Sequence, residues 1–265
     1  MPRPPAPPPP LPLATIREAE PDTLAAAFAG PPDEAARWLA AAARAGMTQA
    51  QVLYGQSLLQ GRGVREDRAA ALRWFQVAAG AGNLEALNMV GRCHELGWGT
   101  QQDPSRAVSV YRQAAEAGHA WAQYNLATLL ARGIGAEPDL PEAIRWFNRA
   151  AAQGHARSMT VLGRMLEDGV GGPADAGAAH QLYARAAAAG DCRAQFNMGT
   201  LALAEGRLDD AEQWFSQAAR TGTPGFLRTM AAKLRERPEA ALRSLGEALA
   251  ADPRLSWPDA PGCPT

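Results

Sequence analysis

The sequence predicts an all-α fold in which one pair of helices is repeated along the chain. An Ala-Ala-x-x-Gly phrase recurs six times, its glycines at Gly46, Gly82, Gly118, Gly154, Gly190 and Gly222 spaced by 36, 36, 36, 36 and 32 residues. Other positions keep the same register. The composition agrees, because 47% hydrophobic residues with only 6% aromatic and about a fifth alanine cannot fill a broad core but can fill a thin, close-packed one.

Within each period the second helix is the clearest element. Eight residues before each glycine stand Trp38, Trp74, Val110, Trp146, Leu182 and Trp214, and the next residue is Leu39, Phe75, Tyr111, Phe147, Tyr183 or Phe215. Alanine stands eleven before: Ala35, Ala71, Ala107, Ala143, Ala179 and Ala211. The set Ala71, Trp74, Phe75 and Ala78 is spaced i, i+3, i+4, i+7, one stripe on one helix face. The glycine that follows ends the helix, since glycine enters the left-handed region without a Cβ clash.

The first helix of the next period begins after that glycine. It holds a large apolar residue followed by a small one, as in Tyr54-Gly55, Val90-Gly91, Leu126-Ala127, Leu162-Gly163 and Met198-Gly199. A mid-helix glycine costs up to about 1 kcal/mol, so these positions are expected to let a neighbouring helix backbone approach. Gly61-Arg62-Gly63-Val64, Gly97-Trp98-Gly99, Gly133-Ile134-Gly135 and Gly169-Val170-Gly171 then connect to the second helix. Asp67, Asp103, Asp139 and Asp175 stand at its expected N-cap, with Pro104 suited to the first turn. The fifth period omits four residues and passes through Gly206-Arg207-Leu208-Asp209.

The phrase Gly118-His-Ala-Trp-Ala-Gln-Tyr-Asn-Leu-Ala, the loop Gly61-Arg-Gly-Val and the stretch Asp-x-x-x-Ala-Leu-x-Trp-Phe-x-x-Ala-Ala from Asp67 to Ala79 resemble Sel1-like repeats, relatives of the tetratricopeptide repeat. The resemblance implies a right-handed superhelical α-solenoid of antiparallel helix pairs, most often an adaptor in macromolecular assembly. On that frame, residues 1–13 form a disordered Pro-rich tail and 14–251 the solenoid. Within the solenoid, 14–46 is a partial N-terminal unit, followed by repeats at 47–82, 83–118, 119–154, 155–190 and 191–222. Residues 223–251 form a C-terminal cap of two helices split at Pro238, and 252–265 a second disordered tail. Spaced prolines such as Pro2 and Pro5 suit either a solvated tail or a ligand for an aromatic groove.

Several function classes are excluded or disfavoured. A net charge of −1 and a pI of about 6.4 give no footprint for nucleic acid or an anionic membrane. Neither a signal-peptide core nor about 18 consecutive apolar residues occurs, so no membrane insertion and a cytoplasmic location are expected. Cys93, Cys192 and Cys263 contain no CxxC and support neither a disulfide framework nor a zinc cage. No phosphate loop, dinucleotide fingerprint, nucleophile elbow or HExxH is present, and the one lysine, Lys233, is preceded three residues earlier by Met230 rather than serine. No cofactor, no metal and no catalytic residue are expected. Secreted Sel1-like proteins with paired cysteines act on β-lactams, and this chain lacks that cysteine pattern. His119 and His155, both directly after the repeat glycine, read as helix-start residues, and His94 as a packed position.

The first helices of tetratricopeptide-like stacks line the concave face. Projected by repeat offset, that face carries Asn88, Arg92, Trp121, Tyr124, Arg132, Arg157, Arg164, Arg193 and Phe196 as the candidate partner-binding set, with Glu85, Glu95, Thr128, Thr160, Asp168 and Thr200 beside them. Arginines clamp carboxylates and aromatic rings anchor interfaces, so the expected partner is a protein or peptide of acidic character. Arg92 with Glu95 and Arg164 with Asp168 also have the spacing of self-satisfied surface pairs, which leaves a plain solvated face as the competing reading. The leading expectation is a non-enzymatic adaptor, monomeric, with homotypic assembly through an end as a further possibility. The alternative is an enzyme or enzyme subunit, cell-envelope or β-lactam-related, whose site a partner completes.

Overall fold

A computed structural model describes residues 11–256, and the Pro-rich segments at 1–10 and 257–265, expected to be disordered, lie outside the described residues. All regular structure among the described residues is helical. The first helices of the successive pairs are α4 (Thr48–Gln60), α6 (Leu84–Leu96), α8 (Ala120–Arg132), α10 (Ala156–Glu167) and α12 (Cys192–Ala204). Their second helices are α5 (Arg68–Gly80), α7 (Pro104–Glu116), α9 (Leu140–Ala152), α11 (Ala176–Ala188) and α13 (Leu208–Thr221). Before them come α1 (Leu13–Glu18), α2 (Pro21–Ala29) and α3 (Pro32–Arg44), and after them α14 (Pro224–Arg235), α15 (Ala240–Ala250) and a 3₁₀ turn at Pro253–Ser256. Successive helices pack on one another, as α4 on α5, α10 on α11 and α12 on α13, the pattern of stacked helix pairs.

The described residues divide into two compact units, one reaching to residue 122 together with 134–137 and the other of 123–133 with 138 onward. In the first unit, Phe75 is buried with Val52, Leu58, Leu72, Met89 and Trp98, and a smaller cluster joins Ile16 to Leu39, Ala42 and Ala50. In the second, Phe215 packs with Leu227, Met230, Leu234 and Leu242. The bulky stripe divides by role. Phe75, Tyr111, Phe147, Tyr183 and Phe215 are buried, whereas Trp74 and Trp214 are half-buried at the margin. Each buried ring contributes on the order of 1.5–3 kcal/mol, and the flanking alanines keep the helices close enough to reach it.

The mid-helix glycines make room for these rings rather than for a helix backbone. A Cβ on Gly55, Gly91, Gly163 or Gly199 would stand 2.6–2.7 Å from a ring carbon of Phe75, Tyr111, Tyr183 or Phe215, respectively. Where the ring is tyrosine, its hydroxyl has a fixed acceptor. Tyr111 donates to Glu95 Oε2 at 2.5 Å and Tyr183 to Glu167 Oε2 at 2.8 Å. Burial first, then the neighbouring carboxylate, raises both phenol pKa values. At the position of Glu95 and Glu167, the repeats that hold phenylalanine carry Leu59, Ala131 and Leu203.

Helix ends follow the expected capping chemistry. Asp67, Asp103, Asp139 and Asp175 each accept the N–H of the residue three ahead, at 2.7–2.9 Å, and Pro104 is the first residue of α7. Such a cap is worth about 1 kcal/mol. First helices are capped by Asn83 and Asp191, and by Nδ1 of His119 and His155. Both histidines therefore act at helix starts. His119 turns its Nε2 to Glu85 Oε2 at 3.2 Å, which fits the tautomer protonated at Nε2. Gln51 and Gln195 reach back to the carbonyls of Ala43 and Ala187, at 3.2 and 3.1 Å.

Gly46, Gly82, Gly118, Gly154 and Gly190 have φ between +85° and +94°. Gly222 does not: its φ is −64°, and the entry into α14 takes a different course. The C-terminal tail expected from residue 252 also begins otherwise. Its described part is the 3₁₀ turn, held by Arg254 to the Ala219 carbonyl at 2.9 Å, while Leu255 packs on the core cluster. Among the described residues, no helix is long and apolar enough to cross a membrane.

Candidate functional site

The second unit contains a cavity of about 350 Å³ lined from α8, α10, α12 and α14. Helical spacing selects its walls. On α10, Arg157, Thr160, Val161 and Arg164 stand at i, i+3, i+4 and i+7 and share one face, while Met159, Leu162 and Gly163 are buried. On α12 the corresponding residues are Arg193, Phe196 and Asn197, and on α14 they are Phe226, Thr229 and Lys233; Tyr124 enters from α8.

The lining rings belong to two aromatic groups. Phe196 lies 5.2 Å from Phe215 and 6.2 Å from Phe226, the latter edge to face, and Tyr124 lies 5.9 Å from Phe147 and 5.1 Å from the His155 imidazole. Lys233 holds its ammonium 5.4 Å over the Phe196 ring, within cation–π range. Four cations, Arg157, Arg164, Arg193 and Lys233, face one lining carboxylate, Asp191. That carboxylate is already engaged, accepting the Thr160 hydroxyl at 2.9 Å while capping α12. The lining thus has a surplus of positive charge beside apolar rings, suited to a ligand that brings both carboxylates and apolar surface.

Five of the nine sequence-projected residues, Tyr124, Arg157, Arg164, Arg193 and Phe196, come together here. Arg132 is exposed toward the C-terminal end of α8 and does not line the cavity. Asn88, Arg92 and Trp121 belong to the first unit. Asn88 occupies the repeat register of Tyr124 and Phe196 but is only 4% exposed, a buried polar residue rather than part of an open groove. Arg92 lies 5.0 Å over the Trp98 ring, and Trp121 is 44% exposed. Glu95, projected as a groove residue, is instead the acceptor for Tyr111. Among the described residues the ion pairs do not join Arg164 to Asp168, and no cluster of metal-ligating side chains occurs.

The projection missed Phe226, Thr229 and Lys233. Lining residues on α10 and α12 begin three residues after the repeat glycine, at Arg157 and Arg193, whereas on α14 they begin four after Gly222. The extended conformation of Gly222 accompanies this one-residue change of phase. Lys233, the sole lysine, and its i, i+7 relation to Phe226 were the available signals.

Stacked helix pairs with capped starts and glycine ends define an α-solenoid of the tetratricopeptide-like class. The Sel1 repeat model matches residues 32–47, 48–83, 84–119, 122–155, 156–191 and 192–222, and the chain belongs to the Sel1 repeat family. Proteins of this family generally mediate protein–protein interactions, typically without enzymatic activity. The chain is similar to a Sel1 repeat protein from Oxalobacter formigenes, at 26% identity and a TM-score of 0.71, over 84% of this chain and 96% of that one. It is also similar to a protective antigen present in uropathogenic Escherichia coli strains, at 26% identity and a TM-score of 0.60, covering 83% of this chain but only 49% of the antigen. An immunity protein from Pseudomonas aeruginosa shares the fold at 16% identity, with a TM-score of 0.57 over 77% of this chain and 81% of that one. No match was found among curated proteins.

Proposed function

We propose that this protein is a non-enzymatic adaptor that binds a protein partner through the face formed by its first helices, with the α8–α10–α12–α14 cavity as the principal contact. The observation that carries the reading is the convergence there of four cations and three aromatic rings, Tyr124, Phe196 and Phe226, from four separate helices. Rigid rings supply desolvated contact area and arginines supply directed hydrogen bonds, the residue types that dominate interface energetics. Capping and core packing account for the backs of these helices, while their cavity-lining faces provide recognition chemistry.

The test is crosslinking mass spectrometry in cells, comparing wild type with an Arg164→Glu/Phe196→Ala variant whose helicity is checked by circular dichroism. Loss of at least one partner crosslinked near the cavity is expected. An unchanged set of partners and crosslinks from the folded variant would overturn the reading.

A further inference from the structure

The cavity's dimensions narrow the chemistry of its ligand, an inference that rests on the adaptor reading above. Arg157 and Arg164 share one face of α10 seven residues apart, about 10 Å along the axis at 1.5 Å per residue. Arg193 repeats the Arg157 position on α12, and Lys233 contributes a fourth cation over the Phe196 ring. Tyr124, Phe196 and Phe226 provide the apolar lining. The site is therefore a short apolar surface with cationic positions separated along its length.

An extended peptide rises about 3.3 Å per residue and places residues i, i+2 and i+4 on one side, with i and i+4 about 13 Å apart. The reach of long arginine side chains covers the small difference from the helix spacing. At about 350 Å³ the cavity lies near the lower end of ligand-sized pockets, about 300–1,000 Å³. One large side chain with its flanking backbone suits this space better than a helix about 10 Å across. We infer that the cavity recognises an extended segment of the pattern acidic–x–aromatic–x–acidic, with the ring seated among Tyr124, Phe196 and Phe226 and the two carboxylates held by the arginines and Lys233. The charge distribution favours a peptide over nucleic acid. A polyanionic strand needs a basic track, whereas the whole chain has a net charge of −1.

The experiment uses the full chain and fluorescein-labelled heptapeptides read by fluorescence anisotropy. The reference probe is Ser-Glu-Ser-Phe-Ser-Glu-Ser; two further peptides replace both Glu by Gln or Phe by Ser, and a labelled ten-nucleotide oligothymidylate is the polyanion control. Saturable binding of the reference is expected, at least tenfold weaker for each altered peptide and absent for the oligonucleotide. Arg164→Gln and Lys233→Gln, both at exposed positions, are each expected to weaken it three- to tenfold and to reduce its salt dependence. No reference binding up to millimolar concentration, equal binding of the Gln peptide, or stronger binding of the oligonucleotide would overturn the inference. Loss of crosslinked partners on cavity substitution, without binding of the reference peptide, would refute this ligand pattern while leaving the adaptor reading intact.

Discussion

Three glycines of the first unit separate three physical costs that glycine-to-alanine substitution can incur. Gly118 ends a repeat at φ +94°, and a methyl group there would meet nothing within 4 Å. Gly118→Ala therefore carries only the left-handed penalty, about 1–2 kcal/mol, offset by about 0.4–1 kcal/mol from a less disordered unfolded chain, for a net loss near 1 kcal/mol. Gly99, at φ +71°, adds a collision: its Cβ would stand 2.8 Å from the Ala69 Cα and closer still to the Arg68 carbonyl. Those are backbone atoms at the start of a helix and cannot swing aside. Relief requires the loop to withdraw, which weakens the burial of Trp98 and its 2.9 Å backbone bond to Cys93. Partial loss of so large a side chain adds about 2 kcal/mol, giving about 3 kcal/mol for Gly99→Ala. Gly91 is helical, and its Cβ would meet the Tyr111 ring at 2.6 Å. Overpacking costs about 1–3 kcal/mol and better helix propensity returns up to about 1, so Gly91→Ala falls between about 0 and 2 kcal/mol. Urea unfolding followed by both circular dichroism and tryptophan fluorescence provides the comparison, because repeat stacks need not unfold in one step. A Gly99→Ala midpoint no lower than that of Gly118→Ala would refute the assignment of this loop as a backbone contact.

Two further predictions concern buried titratable groups. His94 is 7% exposed with neither ring nitrogen hydrogen-bonded, and it occupies the register held elsewhere by Leu58, Leu130, Leu166 and Ala202. Burial first, then Arg106, lowers its pKa, with Asp103 opposing; its stability contribution is full above the unfolded value of about 6.5 and declines as pH falls from there to the folded pKa. His94→Leu is expected to stabilise the protein by about 1 kcal/mol at pH 7 and to flatten the stability profile below pH 6.5, with unchanged pH dependence in urea titrations counting against the account. Cys93 is fully buried and its thiol is pushed up to about 12 by burial, whereas Cys192 is half-buried, its thiol also pushed up by burial. In a Cys263→Ser background at pH 8, a thiol reagent should label Cys192 slowly and Cys93 only on unfolding; rapid native labelling of Cys93 would contradict this burial.

The repeat exposed most of the fold because its signals are local. Asp67, Asp103, Asp139 and Asp175 stand where a helix start needs an acceptor, and each performs that task. Interactions across a repeat were harder to read. Glu95 looks like any polar groove residue until its phenol partner sixteen positions later is known, although the joint appearance of Tyr with Glu in two repeats and of Phe with Leu or Ala in the others encodes that bond. The cavity was half legible. Arg157, Arg164, Arg193, Tyr124 and Phe196 follow from an unbroken phase, whereas Phe226 and Lys233 fall in the segment read as a C-terminal cap, and even an extended repeat offset is one residue out of phase there because Gly222 is extended. Helix α1 escaped notice because its six residues are too few to establish a period.

The reach of each bond has a consequence for how such a chain changes length. The side-chain pairs Glu85 with His119, Glu95 with Tyr111, Thr160 with Asp191 and Glu167 with Tyr183 each close within one matched segment. Hydrogen bonds described from one segment to the next instead meet main-chain carbonyls, Gln51 reaching that of Ala43 and Gln195 that of Ala187, and Gly99 lies against the Arg68 backbone, while apolar side chains such as Phe75, Met89 and Trp98 pack across the joint. A carbonyl is the same group whatever side chain its residue bears. Duplication or excision of a whole 36-residue segment would preserve these private pairs and present an equivalent backbone at the new joint, leaving only the apolar packing between segments to be rematched.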